Sequence, residues 1–422
     1  MSPLAGAFAR LRALNDGVPA PAGLAPVQLH LGESRLGTGG VDATLLADPD
    51  GWTRYPPLGG TPALRTAYTG WLRRRFGAGP MLDGRTLAVE PTPGTKQALA
   101  TALALAVERV RGAGGGPVER VGGAEGGPAE RVRGAEGGPV VVMPNPFYPT
   151  YHAATEAVGA RPVFYDPRGG PAALEEAVAA AGGAVAAVIV CDPGNPRGEL
   201  LPAEFLGAAT RAAVTADALL LVDECYTDLW LARPPAGYLA LVRRGAVHPE
   251  RFLVLHTLSK RSGAPGLRSG FAAGDPRTVA DYARHNQACG VPTPLPVCAA
   301  AARLWDDDAH VERARARLAV NWALADRVLA GVPGYRRADA GFFLWLPVGD
   351  DEAAARALWR DQALTVMPGR YLAAGGPDGT NPGAGHLRVA LVHDEPLMRE
   401  ALHRLRAGLT RTSPLLCEDV SA

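Results

Sequence analysis

The stretch Phe252-Leu-Val-Leu-His-Thr-Leu-Ser-Lys260 places a lysine just after a short apolar run of the kind that forms buried strands. Upstream, the apolar run at residues 218–222 ends in Asp223-Glu-Cys-Tyr226, so an acid follows a second strand-like segment. A lysine that forms a Schiff base needs a rigid strand-end position and a partly dry pocket that lowers the pKa of its amine. An acid at the end of a neighbouring strand is what a protonated pyridine nitrogen would need. The alternative is a surface lysine after a strand, which a lone Ser-Lys pair would favour.

Apolar runs separated by helical stretches predict an α/β fold. Between residues 60 and 275, runs rich in Val, Leu and Ile alternate with stretches rich in Ala, Leu and Arg; the runs lie at 87–90, 140–143, 162–165, 187–190, 219–222 and 252–255. Such continuous apolar strands indicate a mostly parallel sheet that is covered on both faces. Ligands of such sheets bind beyond the carboxyl ends of the strands.

The pattern changes after residue 290, which predicts a second, smaller domain. A long helical stretch at 297–332 is followed by strand-like runs at 342–346 and 386–392. We interpret them as a smaller α+β domain that the N-terminal segment completes. The expected division is therefore 1–45 joining the small domain, 46–285 forming the large domain, and 286–422 forming the small C-terminal domain.

Composition excludes several classes of partner. A chain of 422 residues can form two sizeable cores, and its 43 basic and 42 acidic residues predict neither nucleic acid nor an anionic membrane as a partner. No apolar run approaches the roughly 20 residues of a membrane span, and the N-terminus lacks the order of a secretory signal. Five widely spaced cysteines without a CxxC pair predict reduced thiols in the cytoplasm, rather than disulfides or a metal site.

Three tandem copies of an eleven-residue unit begin at Glu108, Glu119 and Glu130. Each copy contains three or four glycines and a proline, which excludes a helical supercoil. We interpret residues 108–139 as an expanded surface loop inserted into the large domain, where an insertion costs little stability.

A candidate anion site combines two segments. Gly94-Thr95-Lys96 follows a strand-like run and begins a helical stretch. Free N–H groups at a helix N-terminus, beside a glycine that permits close approach, form a phosphate cradle. Thr257 and Arg268 bracket Lys260 and offer a hydroxyl and a guanidinium to phosphate oxygens. A strand-Gly-Thr-helix junction is common, and by itself it favours a simple turn.

Three strand-end segments could hold a planar ring. Tyr148, in a proline-framed loop, could stack on a heteroaromatic ligand, although ordinary packing explains this tyrosine equally well. Asn195 could donate to a phenolate oxygen, unless its segment is only a Pro/Gly turn. Asp223 and Tyr226 could reach the nitrogen and the hydroxyl of one ring. An acid at the end of an apolar strand is costly without a cationic partner, which favours ligand binding.

Two further residues are candidates for contacts with a substrate or ligand. Arg388 lies within the apolar run 386–392, either satisfied at a sheet edge or positioned to bind a carboxylate. Tyr55 lies in a Pro/Gly loop, and its spacing alone does not assign it a contact.

Taken in order, these segments resemble the fold-type I pyridoxal-phosphate aminotransferases of class I/II over nearly the whole chain. The motifs that carry the resemblance are Tyr55-Pro-Pro-Leu-Gly, Gly94-Thr-Lys, Asn145-Pro-Phe-Tyr148, Pro193-Gly-Asn195-Pro-Arg-Gly, Asp223-Glu-Cys-Tyr226, Ser259-Lys260 with Arg268, and Arg388. The resemblance implies the fold of that family, a large domain with a mostly parallel central sheet and a smaller α+β domain. It also implies pyridoxal 5'-phosphate as cofactor.

The same resemblance implies a role for each candidate residue. Lys260 is expected to bind the cofactor as a Schiff base and to shuttle a proton, while Asp223 keeps the pyridine nitrogen protonated. Tyr226 and Asn195 are expected to hold the ring oxygen, with Tyr148 stacked on the ring. The expected phosphate-binding residues are Gly94, Thr95, Lys96, Thr257, Arg268, and Tyr55 from the other subunit of a homodimer. Around the substrate, Arg388 is expected to bind the α-carboxylate, with Asn195 and the backbone of Gly32 nearby.

Longer stretches are similar to one subgroup of the family, the transaminases that exchange an amino group between glutamate and N-succinyl-2-amino-6-oxopimelate. These stretches are 257–271, 305–311, 367–373 and 381–392. The similarity implies a place in lysine and diaminopimelate biosynthesis. Basic candidates for contact with the distal carboxylate are Arg35, Arg54, Arg261 and Arg370.

Other functions share the same pocket. Another class I/II aminotransferase, acting on aspartate, aromatic or acyl-amino acids, would keep all the motifs, and so would a pyridoxal-phosphate C–S lyase. A transcription regulator that senses pyridoxal phosphate is disfavoured, because the segment before Gly32 is short for a DNA-binding domain.

Overall fold

The computed structural model describes residues 6–35, 40–113, 137–376 and 378–412, without the side chains of residues 113, 411 and 412. In these ranges the strands are β1 (Val27–Gln28), β2 (Ala88–Thr92), β3 (Val140–Pro144), β4 (Arg161–Tyr165), β5 (Val185–Cys191), β6 (Leu219–Asp223), β7 (Phe252–Thr257), β8 (Gly270–Gly274), β9 (Phe343–Pro347), β10 (Leu364–Thr365), β11 (Met367–Pro368) and β12 (His386–Ala390).

The helices of the same ranges are α1 (Ala7–Asn15), α2 (Ala43–Leu46), α3 (Pro49–Trp52), α4 (Pro62–Phe76), α5 (Gly79–Asp83), α6 (Thr95–Ala113), α7 (Pro149–Ala157), α8 (Gly170–Ala179), α9 (Ala203–Thr215), α10 (Tyr238–Arg243), α11 (Leu258–Arg261), α12 (Pro276–Cys289), α13 (Leu295–Asp306), α14 (Ala309–Val328), α15 (Asp351–Gln362) and α16 (Glu395–Thr412). Short 3-10 helices lie at Pro167–Gly169, Pro265–Leu267 and Gly369–Leu372.

A seven-stranded sheet forms the centre of the molecule, in the order β2-β8-β7-β6-β5-β3-β4. Among the described strands of this sheet, only β8 runs antiparallel to its neighbours, β2 and β7. The predicted α/β fold with a mostly parallel sheet is therefore confirmed. Each of the six predicted strands of this sheet lies within two residues of its expected position. The sequence pattern missed β8, because Gly270-Phe-Ala-Ala-Gly274 is poor in the β-branched residues that identify strands.

The sheet is buried on both faces, which explains the continuous apolar runs. In β6, Leu220 and Val222 pack into the core formed with α4, α9 and α13, whereas Leu219 and Leu221 pack into the core formed with α6 and α7. Successive side chains of a strand point to opposite faces, so a strand that is covered twice needs apolar residues throughout.

A second sheet, with its own core, lies in the C-terminal part of the chain. It contains β11, β12 and β9 in antiparallel order, and β1 pairs in parallel with β10 nearby. Its core joins residues of α14, α15 and α16, among them Trp322, Leu358 and Leu405. The predicted boundaries at residues 45 and 285 stay predictions.

Two segments depart from the sequence pattern. The helical stretch predicted at 297–332 is interrupted at Asp307 and Asp308, where α13 ends and α14 begins. Trp305 of α13 packs into the core of the large sheet, although this segment was predicted to belong to the small domain. Residues 108–113 continue α6 rather than form a loop, and most of the predicted insertion at 108–139 lies outside the described residues.

Within the described ranges, each helix is too short or too polar to cross a lipid bilayer.

Candidate active site

The loops after β2, β3, β5, β6 and β7 meet at one edge of the large sheet, where the parallel strands have their carboxyl ends. They enclose a cavity of about 310 Å³, a volume suited to a small cofactor. The cavity is lined by Thr95, Lys96, Tyr148, Tyr151, Cys191, Asn195, Asp223, Cys225, Tyr226, Thr257, Ser259, Lys260, Pro265 and Arg268. Nine residues predicted to bind the cofactor thus lie together, as the position of each after a strand implies.

The two lysines of the chain both line this cavity. Lys96 and Lys260 are the only lysines among 43 basic residues, all the others being arginines. The guanidinium of an arginine stays protonated and cannot act as an amine, whereas a buried lysine can lose its proton. Lysine usage is therefore an independent signal for a site that needs an amine, and sequence inspection alone could have supplied it.

Lys260 has the environment of a reactive amine. Burial lowers the pKa of Lys260 to about 8; the Arg388 guanidinium acts in the same direction, while Cys225, Asp223 and Glu33 oppose it. The Nζ amine donates a hydrogen bond to the carbonyl oxygen of Gly32, as the expected proximity of that backbone requires. A side chain at Gly32 would collide with the Phe343 ring, so only glycine lets this carbonyl approach.

Asp223 is buried at the end of β6 and is held by two donors. The Tyr151 hydroxyl donates to its Oδ2 at 2.6 Å, and the backbone N–H of Cys225 donates to its Oδ1 at 3.1 Å. These bonds hold the carboxylate in place, where it could serve as a partner for a protonated ring nitrogen. Tyr151 was missed in the sequence; the signal was a second tyrosine three residues after Tyr148, on the first turn of α7.

Tyr226, Asn195 and Arg388 form one chain of hydrogen bonds. Asn195 Nδ2 lies 3.4 Å from the Tyr226 hydroxyl, and Arg388 Nη1 donates to Asn195 Oδ1 at 3.1 Å. Burial raises the pKa of the Tyr226 phenol, while the positive charge of Arg388 opposes that rise. Tyr226 is therefore a protonated donor, positioned with Asn195 to bind an oxygen of a ring.

Arg388 is a buried cation without a carboxylate. It lies in the middle of β12 with 4% of its surface exposed, and its guanidinium carbon is 4.1 Å from the centroid of the Phe343 ring. Its Nη2 donates to the carbonyl oxygen of His30 at 3.1 Å, and none of the described acidic residues forms an ion pair with it. Burial lowers the pKa of Arg388 to about 10. A buried charge without a counter-ion is costly, which marks the place of a carboxylate ligand.

The segments around Gly94 and Arg268 fit a phosphate group. Gly94 has φ +90° and lies against the Arg268 guanidinium, so a side chain there would collide with it. Thr95 begins the 19-residue helix α6, whose first N–H groups face the cavity edge. Ser259, a cavity residue to which the sequence assigned no role, contacts Thr257 through both its backbone N–H and its hydroxyl. The cation, hydroxyls and helix terminus together make a donor set suited to phosphate.

Several predicted residues lie outside the cavity. Tyr55 is 99% exposed and takes no part in the cavity of its own chain. Arg261 is buried and paired with Asp228 and Asp308, and Arg370 is paired with Asp350, Asp351 and Glu352. Arg261 and Arg370 are therefore occupied by acids of the chain, which argues against contact with a distal substrate carboxylate.

A larger open cleft, of about 1010 Å³, lies at the opposite edge of the sheet beside Arg109, Leu219 and Tyr282. It contains none of the predicted site residues and borders the amino ends of β6 and β7. Ligands of parallel sheets bind at the other edge, so the smaller cavity is the candidate active site despite its size.

Comparison with known proteins identifies the family of the chain. Residues 121–405 match the family described as "Aminotransferase class I and II". The chain is 31% identical over 381 residues to the 4-dedimethylamino-4-oxo-anhydrotetracycline transaminase OxyQ of Streptomyces rimosus, covering 90% of this chain and 92% of that protein. It is similar to the crystal structure of an aminotransferase from Neisseria meningitidis, with a TM-score of 0.77, 30% identity, and 95% and 97% of the two chains covered.

The fold is also shared with the N-succinyldiaminopimelate aminotransferase of Mycobacterium tuberculosis, with a TM-score of 0.72 and 96% and 97% of the two chains covered. Sequence identity to that protein is 23%, so this likeness concerns the fold.

The lowered pKa of Lys260 predicts an unusual pH dependence of its reactivity. Only a neutral amine attacks an aldehyde. The pKa of Lys260 is about 8, whereas that of an unperturbed lysine is about 10.4, so half of Lys260 is already neutral at pH 8. In the cofactor-free protein, we expect the rate of aldehyde attachment to rise with pH and to level off above about 8. Reductive trapping followed by peptide mapping measures this rate, with Lys260→Ala as control. A rate that still rises steeply through pH 10 would contradict the assigned environment.

Proposed function

The chain belongs to the class I and II aminotransferases, which use pyridoxal phosphate, and we propose that it transfers an amino group from N-succinyl-LL-2,6-diaminopimelate to 2-oxoglutarate. The products are N-succinyl-2-amino-6-oxopimelate and glutamate, and the reaction runs in both directions. The observation that carries a carboxylate-bearing substrate is Arg388, a buried guanidinium without an acidic partner among the described residues, hydrogen-bonded to Asn195.

The residues of the site divide the chemical work. Pyridoxal phosphate, when bound, supplies a ring that withdraws electrons from the substrate Cα. Asp223 would hold a proton on the ring nitrogen, which would strengthen that withdrawal, and Tyr151 keeps Asp223 in place. Tyr226 and Asn195 would hold the ring oxygen. The amine of Lys260, with its pKa lowered to about 8, takes up a proton at Nζ and returns it.

The phosphate and the carboxylate bind at opposite ends of this arrangement. Thr95, Lys96, Thr257 and Arg268 would hold the phosphate, close to Gly94. Arg388 would form a bidentate pair with the substrate α-carboxylate, because its planar fork matches the two oxygens. Two anchored ends orient the reacting bond between them, which lowers the entropic part of the barrier.

The acyl-diaminopimelate specificity is supported by sequence segments that surround Arg388. Residues 367–373 and 381–392 resemble that subgroup of transaminases, and they form β11, a 3-10 helix and β12. Met367 of β11 pairs directly with Arg388 of β12, so both segments shape the carboxylate end of the site. Arg35 and Arg54, unlike Arg261 and Arg370, form no ion pair with the described acidic residues and are the candidates for the distal carboxylate.

The second candidate substrate is a ketone on a ring, which would accept the amino group. The Streptomyces rimosus relative, 31% identical over 90% of this chain, is named for a 4-oxo-anhydrotetracycline substrate. A substrate of that kind would enter the same cavity without needing two carboxylates. A pyridoxal-phosphate C–S lyase is the third candidate, since it would share the cofactor site.

We further propose a homodimer in which Tyr55 reaches the phosphate site of the partner subunit. Tyr55 is 99% exposed in the single chain, and the nearby Trp52 and Leu58 are 53% and 59% exposed. Large apolar side chains that are exposed together mark a surface that another protein covers. The reduced state expected for the widely spaced cysteines supports a cytoplasmic location.

Turnover of a substrate panel distinguishes these activities. With 2-oxoglutarate as acceptor, we expect N-succinyl-diaminopimelate to give the highest kcat/KM, followed by acetyl-ornithine, aspartate and aromatic amino acids. Formation of glutamate reports transamination, and release of thiol from a cysteine conjugate reports lyase activity. Highest kcat/KM with a ring ketone and glutamate would replace the acyl-diaminopimelate proposal, and thiol release without glutamate formation would replace transamination itself.

Replacing Arg388 should separate function from stability. Arg388→Met removes the carboxylate contact, so KM for glutamate should rise about 100-fold, since breaking a buried charge pair costs about 3 kcal/mol. The same change removes an uncompensated buried charge, and the cofactor-free protein should become more stable by about 1 kcal/mol. Steady-state kinetics and urea unfolding measure the two effects. Unchanged KM, or a marked loss of stability, would contradict the assigned role.

Hybrid dimers test the origin of Tyr55. A chain with Lys260→Ala and a chain with Tyr55→Ala are coexpressed with different tags, and the mixed dimer is purified. If Tyr55 crosses the interface, the site of the Tyr55→Ala chain receives Tyr55 from its partner, and the mixed dimer should have about half the wild-type activity. If Tyr55 serves its own chain, the mixed dimer should be no more active than the Tyr55→Ala homodimer.

A further inference from the structure

A buried hydrogen-bonded pair and a buried ion pair join the two segments that carry the opposite walls of the active site. We call residues 223–228 the acid segment, since it contains Asp223 and Tyr226, and residues 256–261 the lysine segment, since it contains Lys260. Glu224 and His256 join the two segments near their beginnings, at 2.9 Å between Oε2 and Nε2. At the other end, Asp228 and Arg261 are joined at 2.9 Å between Oδ2 and Nε.

Arg261 directly follows Lys260 and uses its whole guanidinium. Its Nε forms the ion pair with Asp228, Nη1 donates to the carbonyl oxygen of Leu304 at 2.7 Å, and Nη2 donates to the carboxylate of Asp308. The guanidinium carbon lies 5.7 Å and 5.3 Å from the ring centroids of Trp71 and Trp305. Only 3% of the side chain is exposed. These contacts leave Arg261 a single arrangement.

Asp228, two residues after Tyr226, is held just as firmly. Arg75 of α4 forms a second ion pair with it, at 3.1 Å between Nε and Oδ1, and donates to the carbonyl oxygens of Thr227 and Pro235. Asp228 therefore lies between two arginines, one from the large-domain helix and one from the lysine segment. The end of the acid segment is fixed relative to both.

The beginning of each segment is fixed by a buried network of its own. The Tyr68 hydroxyl lies 2.7 Å from Nδ1 of His256, whose other ring nitrogen contacts Glu224. The second carboxylate oxygen of Glu224 accepts the backbone N–H of Tyr238. Tyr68 in turn stacks on Phe271 with a centroid distance of 3.8 Å. Buried contacts thus hold each segment near both of its ends, and they support the reactive side chains that the segments carry.

Burial of ions is an inefficient way to stabilise a core, because the desolvation cost offsets most of the attraction between them. Apolar side chains of similar volume would stabilise the same place equally well or better. What a charged pair adds is a defined geometry, since a fork of donors accepts only one placement of its partners. Reactive groups have to be held within about 0.5 Å of their working positions by such supporting contacts.

We propose that Arg261 is a positioning residue of the transaminase site, which acts through Asp228 to hold Lys260 against Tyr226. The inference rests on the proposed function, because its kinetic test follows the transamination of glutamate. Arg261 itself does not touch the cavity and takes no part in the proton transfer. It sets where the amine of Lys260 lies relative to Asp223 and Tyr226 of the acid segment.

The test compares Arg261→Met and Arg261→Lys with the wild-type holoenzyme. We expect Arg261→Met to lower kcat for the glutamate half-reaction about 30-fold, because misplacement by about 1 Å can cost 100-fold in rate. KM for glutamate should change less than about threefold, since Arg388 is untouched. The visible circular dichroism of the bound cofactor should change as well, because it reports the placement of the ring within its pocket.

Two further variants separate positioning from loss of stability. Leu405→Ala, in the small-domain core, lowers the melting temperature through a cavity far from the site, and it should leave kcat and the circular dichroism unchanged. The double variant Arg261→Met/Asp228→Asn should be no slower than the slower single variant, because both changes break the Arg261–Asp228 pair through which Arg261 acts. Arg261→Lys keeps the positive charge. Its compact ammonium lacks the planar fork that reaches Asp228, Asp308 and Leu304 together, so this variant should lower kcat too.

Three results would overturn the proposal. They are wild-type kcat and circular dichroism in either Arg261 variant, a kcat loss in Leu405→Ala equal to that of Arg261→Met at the same melting temperature, and a fully additive double variant. If Arg261→Met does not fold, Arg261→Lys carries the test by itself. A wild-type protein that transfers no amino group would refute the proposed function instead, and the circular dichroism comparison would still decide the role of Arg261.

Discussion

The carboxyl ends of the parallel strands meet at one edge of the large sheet, and the active site depends on this constraint. Residues that are far apart in the chain, such as Thr95, Asn195 and Lys260, reach one cavity because each follows a strand of the same direction. The strands themselves are buried on both faces, so the sheet is rigid and each loop begins at a fixed position. A small cofactor can therefore be held by five loops without any long-range rearrangement.

Within this frame, the site keeps two cations in surroundings that do not favour them. Burial lowers the pKa of both Lys260 and Arg388, and the described part of the chain gives Arg388 no acid to pair with. For Lys260 the consequence is an amine that loses its proton at a lower pH than a free lysine, and Arg388 remains available to a carboxylate, as the proposed function requires. Burial of these two cations lowers the stability of the folded chain, and ligands that bind the folded state would raise it again.

The supporting contacts show a different use of charge. Behind the reactive residues, Glu224, Asp228 and Arg261 are buried but paired, and they connect one wall of the site to the other. The two cations of the site, Lys260 and Arg388, thus lie at the cavity, whereas the paired side chains lie behind them. This distribution has a reason in solvation. A cation that is to bind a ligand cannot already be paired with an acid of the chain. A buried charge that only positions its neighbours needs a hydrogen-bonded partner, because burying it alone is costly.

The sequence by itself determined the fold class, six strands of the sheet, and the grouping of Asp223, Tyr226, Lys260 and Arg268 at one edge, because apolar periodicity and strand-end motifs are local. It missed β8, since glycine and alanine in Gly270–Gly274 hide a strand that only its neighbours β2 and β7 stabilise. Tertiary structure alone decided that Tyr151 holds Asp223, that Arg261 pairs with Asp228, and that Arg388 has no described acidic partner. These are relations between distant residues, and the distances that define them exist only once the core has packed.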